Sequence, residues 1–373
     1  MTTQKNNSNN NSKNNSLTLN YCLPVGARLD KIELTVNLHE LDADALSELG
    51  IMTADGKINL TSAWIPHFGS FKSFNSFKDG NRYSKLQLHV SGDLAAGDSN
   101  LIGFSPEEYR NVFVEVTDKL CDWGIVIDDT KADISSMEIQ RTFELLKDYK
   151  NYHRVFKKLI KAIPRKKYVQ YESSYFTINK TKSKYVQYKI YDKSSQLKLS
   201  LERDIMRMEV KIKGISNVKS LFGTCDLFQI GQKDIDRVFD ELIEKNIIKR
   251  LRKLDELRDK DILKLLKANK KTDPHWISAS LLQIANMEIS DDMPYLLDIE
   301  ELIPLIDSMD IPRKDRAKRL FRERARDKFN AICQGDDRKM REILQKLTEN
   351  SSGCSRNEQH PPADSSGDAD ATV

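Results

Sequence analysis

The chain contains 373 residues, of which 39% are hydrophobic and 31% charged, and its formal net charge is +4. This length allows one large domain or two ordinary ones, and the composition is not that of a disordered protein. The five cysteines form no CxxC pair, which argues against a zinc ribbon or a disulfide framework. No apolar run reaches the roughly 20 residues of a membrane span, and the N-terminus lacks a signal-peptide core, so we expect a soluble, cytoplasmic protein with no membrane partner.

Two polar tails flank the predicted folded region. Residues 1–18 are dominated by Asn and Ser, and residues 349–373 are similarly polar, so both tails are expected to be disordered. Strand and helix signals alternate up to about residue 232, and the segments that follow are helical and heavily charged. We therefore predict an α+β domain over residues 19–232, a largely antiparallel sheet with helices on one face, followed by a mainly α-helical domain over residues 233–348.

The periodicity of apolar residues predicts the elements of the first domain. Alternation of apolar and polar residues predicts strands over residues 29–36, 85–92, 134–143, 168–178, 184–192 and 204–214. Helical spacing predicts helices over residues 105–124 and 148–163. The first helix has clear boundaries, because Ser105 and Glu108 suit a capping box and Gly124 suits a helix stop.

A basic, tyrosine-rich segment lies in the middle of the chain. Residues 147–198 contain fifteen Lys or Arg against three acids, together with eight of the twelve tyrosines. The rest of the chain is acidic overall, so this segment predicts a surface for a polyanion such as nucleic acid. Cations neutralise phosphates, and aromatic rings stack on unpaired bases. The candidate DNA-binding residues are Lys157, Lys158, Arg165, Lys166, Lys167 and Tyr185.

The outward faces of three predicted strands carry an unusual set of polar residues. Glu138 lies on one strand, Arg207 and Glu209 on another, and Lys189 and Tyr191 on a third. If these strands are neighbours, one face of the sheet joins two carboxylates to a guanidinium, an ammonium and a phenol. Unpaired charges buried under helices would be costly, so we expect this face to be open to solvent.

Such a face has a chemical interpretation and a structural one. Two carboxylates can hold a divalent cation that polarises a phosphate, and a tyrosine beside it can attack that phosphate. Mixed charges on a sheet are more often a solvated surface, however, and Tyr191 on a strand is more often a packing residue. His89 has no second histidine two residues away, so that strand predicts no His-hydrophobe-His metal site.

Five segments resemble, in order, the motifs of one known family. They are "LDKIELTV" (29–36), "LQLHVSGDLAAGDSNLIGFSPEEYRNVFVEVTDKL" (86–120), "ISSMEIQRTF" (134–143), "YKIYDKSSQL" (188–197) and "MRMEVKIKG" (206–214). This order is similar to that of the gene II family of filamentous-phage and plasmid rolling-circle replication initiators. The last two segments are the most specific, since they resemble the family's YDK-x-x-E/Q box and its R-hydrophobe-E strand.

The resemblance implies a nuclease–ligase that nicks one DNA strand at a replication origin. Tyr191 is the matching nucleophile, which becomes linked to the 5′ phosphate while the freed 3′ hydroxyl primes synthesis. The other implied catalytic residues are Lys189, Lys193 and Arg207. The implied partners are origin DNA and a helicase or polymerase of a bacterial host.

The resemblance also implies a metal site. Glu138 and Glu209 would hold Mg²⁺ or Mn²⁺. Glu138 stands where the family typically has Asp, and Ser136 stands where it typically has Arg, so this strand departs from the family pattern. Two other hypotheses stay open: a DNA-binding protein without chemistry, in which the carboxylates are structural, and a relaxase or transposase of related fold.

Overall fold

The structure is a computed structural model, and it describes part of the chain. The described residues are 23–24, 26–52, 58, 60, 66–75, 82–89, 99–163, 166–171, 174–179, 186–197, 203–268, 279–280, 303–304, 306–308, 313–325, 327 and 336–348. Both predicted tails, residues 1–18 and 349–373, lie outside them. Among the described helices, none is long and apolar enough to cross a bilayer.

Nine strands form an antiparallel sheet in the described part of the chain. They are β1 (Arg28–Leu41), β2 (Phe68–Asn75), β3 (Arg82–His89), β4 (Ile125–Ile127), β5 (Asp133–Glu144), β6 (Lys166–Tyr171), β7 (Ser174–Asn179), β8 (Val186–Asp192) and β9 (Ile205–Lys213). The spatial order is β2-β3-β1-β5-β9-β8-β7-β6, and β4 pairs with β1 outside this path. With the helices below, this arrangement confirms the predicted α+β fold.

The single strand predicted over residues 168–178 is wrong, because this region contains two strands. β6 and β7 pair antiparallel, and Tyr171 lies opposite Ser174. The alternation of aromatic and polar residues runs through both strands. The connection at residues 172–173 contains neither Gly nor Pro, so the sequence carries no turn signal there.

Strand β1 contains a bulge that the spacing of its apolar residues requires. Leu29 and Ile32 are both buried, although they are three residues apart. An unbroken strand would place them on opposite faces. The β1–β5 register shifts between Leu29 and Lys31, and this extra residue returns both apolar side chains to the core.

The described part of the chain also contains α-helices and shorter helical segments. The α-helices are α1 (Ala43–Glu48), α2 (Ser99–Ile102), α3 (Pro106–Asp122), α4 (His153–Ala162), α5 (Lys193–Leu197), α6 (Ile215–Phe222), α7 (Gln232–Ile243), α8 (Lys249–Ala268), α9 (Lys314–Leu320) and α10 (Asp336–Thr348). Short 3-10 helices cover Tyr149–Tyr152 and Leu227–Gln229, and short π-helices cover Glu244–Ile248 and Phe321–Ala325.

The predicted boundaries of α3 are confirmed. The Ser105 side chain accepts a hydrogen bond from the Glu108 backbone at 3.2 Å, and the Glu108 carboxylate accepts one from the Ser105 backbone at 2.6 Å. This is the reciprocal capping box that the two residue types predict. Gly124 follows the helix with φ of 81°, a left-handed conformation that favours glycine.

The hydrophobic core lies between the sheet and a layer of helices. On β9, the even-numbered apolar residues from Met206 to Ile212 are buried on one face. Helix α4 packs on this side, because its Phe156 contacts the ring of Tyr175 on β7. The hydroxyl of Tyr188 on β8 accepts a hydrogen bond at 2.7 Å from Asn246, in the short π-helix that follows α7. This side of the sheet, covered by α4 and α7, is the apolar face.

Helices α7 and α10 belong to the same core as the sheet. Ile343 and Leu347 of α10 are buried in the hydrophobic cluster that contains the sheet residues. Arg141 of β5 is buried, pairs with Asp240 of α7 at 3.0 Å and donates a hydrogen bond to the Leu347 carbonyl. The boundary between two domains at residue 232 stays a prediction. The described parts of α7 and α10, which begin at or after this residue, pack with strands that precede it.

Truncating Ile343 tests whether α10 and the sheet unfold together. Ile343 is fully buried, so Ile343→Ala should lower the free energy of unfolding by about 2–5 kcal/mol through lost burial and a cavity. Urea denaturation followed by tyrosine fluorescence and by circular dichroism should show one shifted transition. Gln345→Ala, at an exposed position of the same helix, is the control. If the sheet of the variant unfolds at the wild-type urea concentration, α10 belongs to a separate unit.

Candidate active site: a buried tyrosine, arginine and carboxylate

Three neighbouring strands bring the predicted catalytic residues together. Strands β5, β9 and β8 are adjacent in the sheet. Lys189 lies opposite Glu209 across β8 and β9, and Tyr191 lies opposite Arg207. Alternate residues of a strand point to opposite faces, so these four side chains lie on the side away from the core helices. We call this side the polar face.

The hydroxyl of Tyr191 lies between a carboxylate and a guanidinium. It donates a hydrogen bond to Glu209 Oε1 at 2.5 Å, and Arg207 Nη1 donates to it at 3.5 Å. The ammonium of Lys189 lies 4.0 Å from the centre of the Tyr191 ring and 3.4 Å from Glu209 Oε2. A phenol, its proton acceptor and two cations are therefore in mutual contact.

Burial controls the protonation of this pair. It raises the pKa of Tyr191 well above its usual value; the charge of Glu209 adds to this effect and that of Arg207 opposes it. Burial also raises the pKa of Glu209, with a further contribution from Asp30, while Lys189 lowers it. At neutral pH Tyr191 is therefore an uncharged phenol whose proton points at Glu209. Nucleophilic attack by this oxygen requires the proton to leave, and Glu209 is the acceptor in contact with it.

Arg207 has no exposed surface and is held by several separate elements. Its Nε donates a hydrogen bond to Thr142 Oγ1 of β5 at 2.9 Å, and its Nη2 donates to the Leu101 carbonyl of α2 at 2.8 Å. Its Nη1 donates to Asp30 Oδ1 of β1 at 3.0 Å. A buried guanidinium is tolerated here because a carboxylate balances its charge and its N–H groups have acceptors.

The prediction that the polar face is open to solvent is wrong at this position. Arg207 is 0% exposed, and Glu209 and Tyr191 are each 5% exposed. Helix α2 contacts this face, since the Ile102 carbonyl accepts a hydrogen bond from Gln140 of β5 at 2.7 Å and the Leu101 carbonyl accepts one from Arg207 at 2.8 Å. The argument for an open face assumed that buried charges would be unpaired. These charges are paired with one another, which lowers the cost of burying them.

A capping carboxylate holds the turn that follows Tyr191. Asp192 accepts hydrogen bonds from the backbone of Ser195 at 2.9 Å and from its hydroxyl at 2.5 Å, at the start of α5. The Ser194 hydroxyl accepts a hydrogen bond from the first backbone N–H of β9 at 2.6 Å. These bonds keep Lys193 buried, with its ammonium 5.8 Å from the centre of the Tyr191 ring. The Asp and Ser of the "YDKSS" stretch thus position the two candidate catalytic residues beside them.

Glu138 shares the polar face with Glu209 but lies at a different level of the sheet. It is opposite Lys211, which forms an ion pair with it, whereas Glu209 is opposite Gln140. In the described part of the chain, no group of three or more His, Cys, Asp or Glu side chains is arranged to hold a metal ion. The binding of Mg²⁺ or Mn²⁺ by the two glutamates stays a prediction.

The predicted DNA-binding residues on α4 do not lie beside Tyr191. Lys157 and Lys158 belong to α4, which packs on the apolar face, so the sheet separates them from the polar face. A polyanion that contacts both groups therefore has to reach both sides of the sheet. The other candidates are Lys166 and Lys167 at the start of β6, whose backbone alone is described, and Arg165 and Tyr185, which lie outside the described residues.

Three residues of this cluster, Asp30, Gln140 and Thr142, were not among the predicted site residues. Gln140 and Thr142 continue the outward alternation of Glu138 on β5, so the pattern contained a signal for both. The signal for Asp30 is the irregular spacing of its apolar neighbours, which marks the β1 bulge. Such a bulge re-aims a side chain, and here it accompanies the contact between Asp30 and Arg207.

Comparisons with known proteins give one weak structural similarity. No family model matches the chain, and no curated protein matches it. A solved structure described as "Structure of Rolling Circle Replication Initiator Protein from Geobacillus stearothermophilus" is similar to 60% of this chain over 86% of its own. The TM-score is 0.29 and the sequence identity is 9%. A similarity at this level carries no argument about function, which therefore rests on the residues of the site.

Removing the α5 cap tests the role assigned to Asp192. Asp192→Ala should lower the free energy of unfolding by about 1 kcal/mol, because the Ser195 backbone loses its acceptor. Asp192→Asn should lose less, since its side-chain oxygen can still accept a hydrogen bond. Urea denaturation measures both. Asp148→Ala is the matched control, because Asp148 occupies an N-cap position without a side-chain capping bond. Equal losses in the two alanine variants would contradict the assignment.

Proposed function

We propose that this chain nicks one DNA strand to initiate rolling-circle replication and that Tyr191 is its nucleophile. The observation that carries the proposal is the hydrogen bond from the Tyr191 hydroxyl to Glu209, beside the buried guanidinium of Arg207. A phenol needs a proton acceptor and a nearby cation to attack a phosphate. The "YKIYDKSSQL" segment and the basic charge of residues 147–198 support a nucleic-acid substrate.

The proposed reaction transfers a DNA phosphoryl group to Tyr191. Its oxygen attacks a phosphodiester phosphorus while its proton passes to Glu209, and the bond from phosphorus to the 3′ oxygen breaks. The 3′ oxygen takes up a proton and becomes the primer hydroxyl, and the 5′ phosphate stays linked to Tyr191. Arg207 and Lys189 neutralise the developing charge, and Lys193 is the candidate proton donor to the leaving oxygen. Attack of a 3′ hydroxyl on the phosphotyrosine reverses the steps and closes the strand.

Access of DNA to Tyr191 involves helix α2, which contacts the polar face. Tyr191 is 5% exposed, and α2 contacts Arg207 and Gln140 beside it. The proposed reaction therefore includes a movement of α2 away from the polar face, which opens the side of the cluster formed by Arg207 and Gln140. This movement breaks the hydrogen bonds from Arg207 and Gln140 to the α2 carbonyl groups, and contacts with DNA would replace them.

The proposal includes a divalent cation, Mg²⁺ or Mn²⁺, held by Glu138 and Glu209. Carboxylate oxygens suit these hard cations, and both residues lie on one face of adjacent strands. Each carboxylate forms an ion pair with a lysine, Glu138 with Lys211 and Glu209 with Lys189. A bound cation would replace these lysines as the positively charged partner of the carboxylates. When bound, the cation polarises the phosphate that Tyr191 attacks.

Origin DNA is the proposed partner, with a host helicase or polymerase acting later on the exposed 3′ end. Lys157 and Lys158, on the apolar-face helix α4, would hold DNA away from the nick. Lys166 and Lys167 begin the edge strand β6, Arg165 directly precedes them in sequence, and Tyr185 directly precedes β8; these residues would hold the DNA strand between the two faces. Cations at these positions neutralise phosphates without reading sequence.

One observation favours a second candidate, a DNA-binding protein without chemistry. The burial of Tyr191 and its bond to Glu209 are also what a structural hydrogen-bond network requires. The two candidates differ in a single product. The nicking enzyme forms a covalent tyrosine–DNA link, and the binding protein does not.

Tyr191→Phe separates these candidates. The change deletes one oxygen and keeps the ring, so covalent adduct and nick should both be lost while DNA affinity persists. The assay uses single-stranded and supercoiled DNA cloned from the region that flanks the gene, with Mg²⁺ or Mn²⁺, and detects the adduct by mass spectrometry. Tyr188→Phe is the control, because Tyr188 lies on the same strand but faces the opposite side, where it bonds Asn246. An adduct that survives in Tyr191→Phe would overturn the assignment.

Substitution of the two glutamates tests the proposed cation site. Glu138→Gln should lower nicking by about 100-fold or more, because a cation contributes several kcal/mol of transition-state stabilisation. Glu209→Gln should lower nicking at least as far, because it removes the proton acceptor of Tyr191 as well as a proposed cation ligand. DNA affinity, measured by fluorescence anisotropy, should hardly change. The control is Glu33→Gln, which removes a carboxylate paired with the exposed Lys85 at 3.4 Å. Full nicking in either test variant would remove that residue from the cation site.

A further inference from the structure

Asp30 contacts the candidate active site from a strand that the proposed reaction does not use. It lies at the β1 bulge, where the register with β5 shifts between Leu29 and Lys31. Its carboxylate oxygen Oδ1 accepts a hydrogen bond from Arg207 Nη1 at 3.0 Å. The side chain of Asp30 is 23% exposed, whereas that of Arg207 is 0% exposed. Asp30 is therefore the carboxylate that balances a fully buried cation.

The same guanidinium nitrogen contacts both Asp30 and the candidate nucleophile. Arg207 Nη1 lies 3.0 Å from Asp30 Oδ1 and 3.5 Å from the Tyr191 hydroxyl. A guanidinium is planar and its donors have a fixed geometry, so the position of one N–H group sets the directions of the others. The bond to Asp30 therefore determines how Nη1 faces the Tyr191 oxygen.

The other anchors of Arg207 differ in what happens to them during the proposed reaction. One is the Leu101 carbonyl in α2, the helix that moves away in the proposed reaction. Another is a single bond from Nε to Thr142, about which the guanidinium can still tilt. Asp30 lies on the sheet itself, so its contact persists when α2 moves.

We infer that Asp30 is a positioning residue that holds Arg207 against the Tyr191 oxygen while DNA occupies the site. This inference rests on the proposed function. Without the Asp30 carboxylate, Nη1 loses the acceptor at 3.0 Å that fixes its direction, and its longer contact of 3.5 Å with the Tyr191 hydroxyl is then free to change. The orientation of a charged group to within about 1 Å decides its effect on a reaction rate.

The chain contains a matched pair that serves as a control. Arg141 is 2% exposed and forms an ion pair with Asp240 at 3.0 Å, the same distance as between Arg207 and Asp30. This pair lies on the apolar side of the sheet, away from Tyr191. Asp240→Ala therefore also removes the carboxylate from a buried arginine, but without any contact to the candidate nucleophile.

The experiment compares Asp30→Ala, Asp30→Glu and Asp240→Ala in the full chain. Single-turnover adduct formation is measured over a range of concentrations of the DNA that the wild type cleaves. Asp30→Ala should lower the saturating rate by roughly 10- to 100-fold, and the half-saturating DNA concentration should not change. Asp30→Glu should recover part of the rate, because it restores the carboxylate. Asp240→Ala should keep the wild-type rate while losing stability in urea denaturation.

A spectroscopic measurement makes the test independent of turnover. Protein labelled with ¹³Cζ-tyrosine gives a Tyr191 resonance, identified by its loss in Tyr191→Phe. This resonance should shift in Asp30→Ala and stay in place in Asp240→Ala. A wild-type rate with an unshifted resonance in Asp30→Ala overturns the inference, as does an equal loss of rate in Asp240→Ala. The proposed function fails if Tyr191→Phe still forms the adduct, or if the wild type forms no adduct with any DNA tested. In that case the Tyr191 resonance alone decides whether Asp30 orients the surroundings of Tyr191.

Discussion

A guanidinium without any contact with water is the constraint on which the arrangement of this sheet depends. A buried charge is stable only where protein groups replace its hydration, and each lost partner leaves a large uncompensated cost. The partners of Arg207 come from β1, β5, β8 and α2, which are far apart in sequence. The cation at position 207 therefore specifies how four segments lie relative to one another, and this requirement is stricter than that of apolar packing, which tolerates small shifts.

This requirement explains why β9 is buried on both faces. Residues 205–210 are all buried, and strands of this kind are usually apolar throughout. Here the apolar residues contact the helices, and the alternating polar residues form a second, charged interior beneath α2. The Tyr191–Glu209 hydrogen bond belongs to that charged interior. Exclusion of water strengthens the electrostatic interactions there, which suits both a catalytic site and a rigid structural network.

The sequence predicted the parts of this fold that depend on local periodicity. Alternation located β1, β5, β8 and β9, and it placed Glu209, Arg207 and Tyr191 on one face. The capping box located α3. The cover of the polar face could not be predicted, because α2 has four residues and no helical period. The β6–β7 hairpin was missed because its connection carries no glycine or proline. Asp30 was missed because the bulge that presents it interrupts the alternation on which strand prediction relies.

One hydrophobic core is formed by segments that are far apart in sequence, and this has a consequence for folding during synthesis. The core includes Ala27 just before β1 and Leu347 near the end of α10, so its first and last parts are separated by almost the whole described chain. During synthesis at the ribosome, the strands emerge long before α10 is available to cover Arg141 and its neighbours. Contacts of such high sequence separation form slowly, and exposed strands are prone to aggregation in the meantime. We therefore expect the nascent chain to depend on chaperones until α10 has emerged, and its yield in a cell to follow the rate of translation.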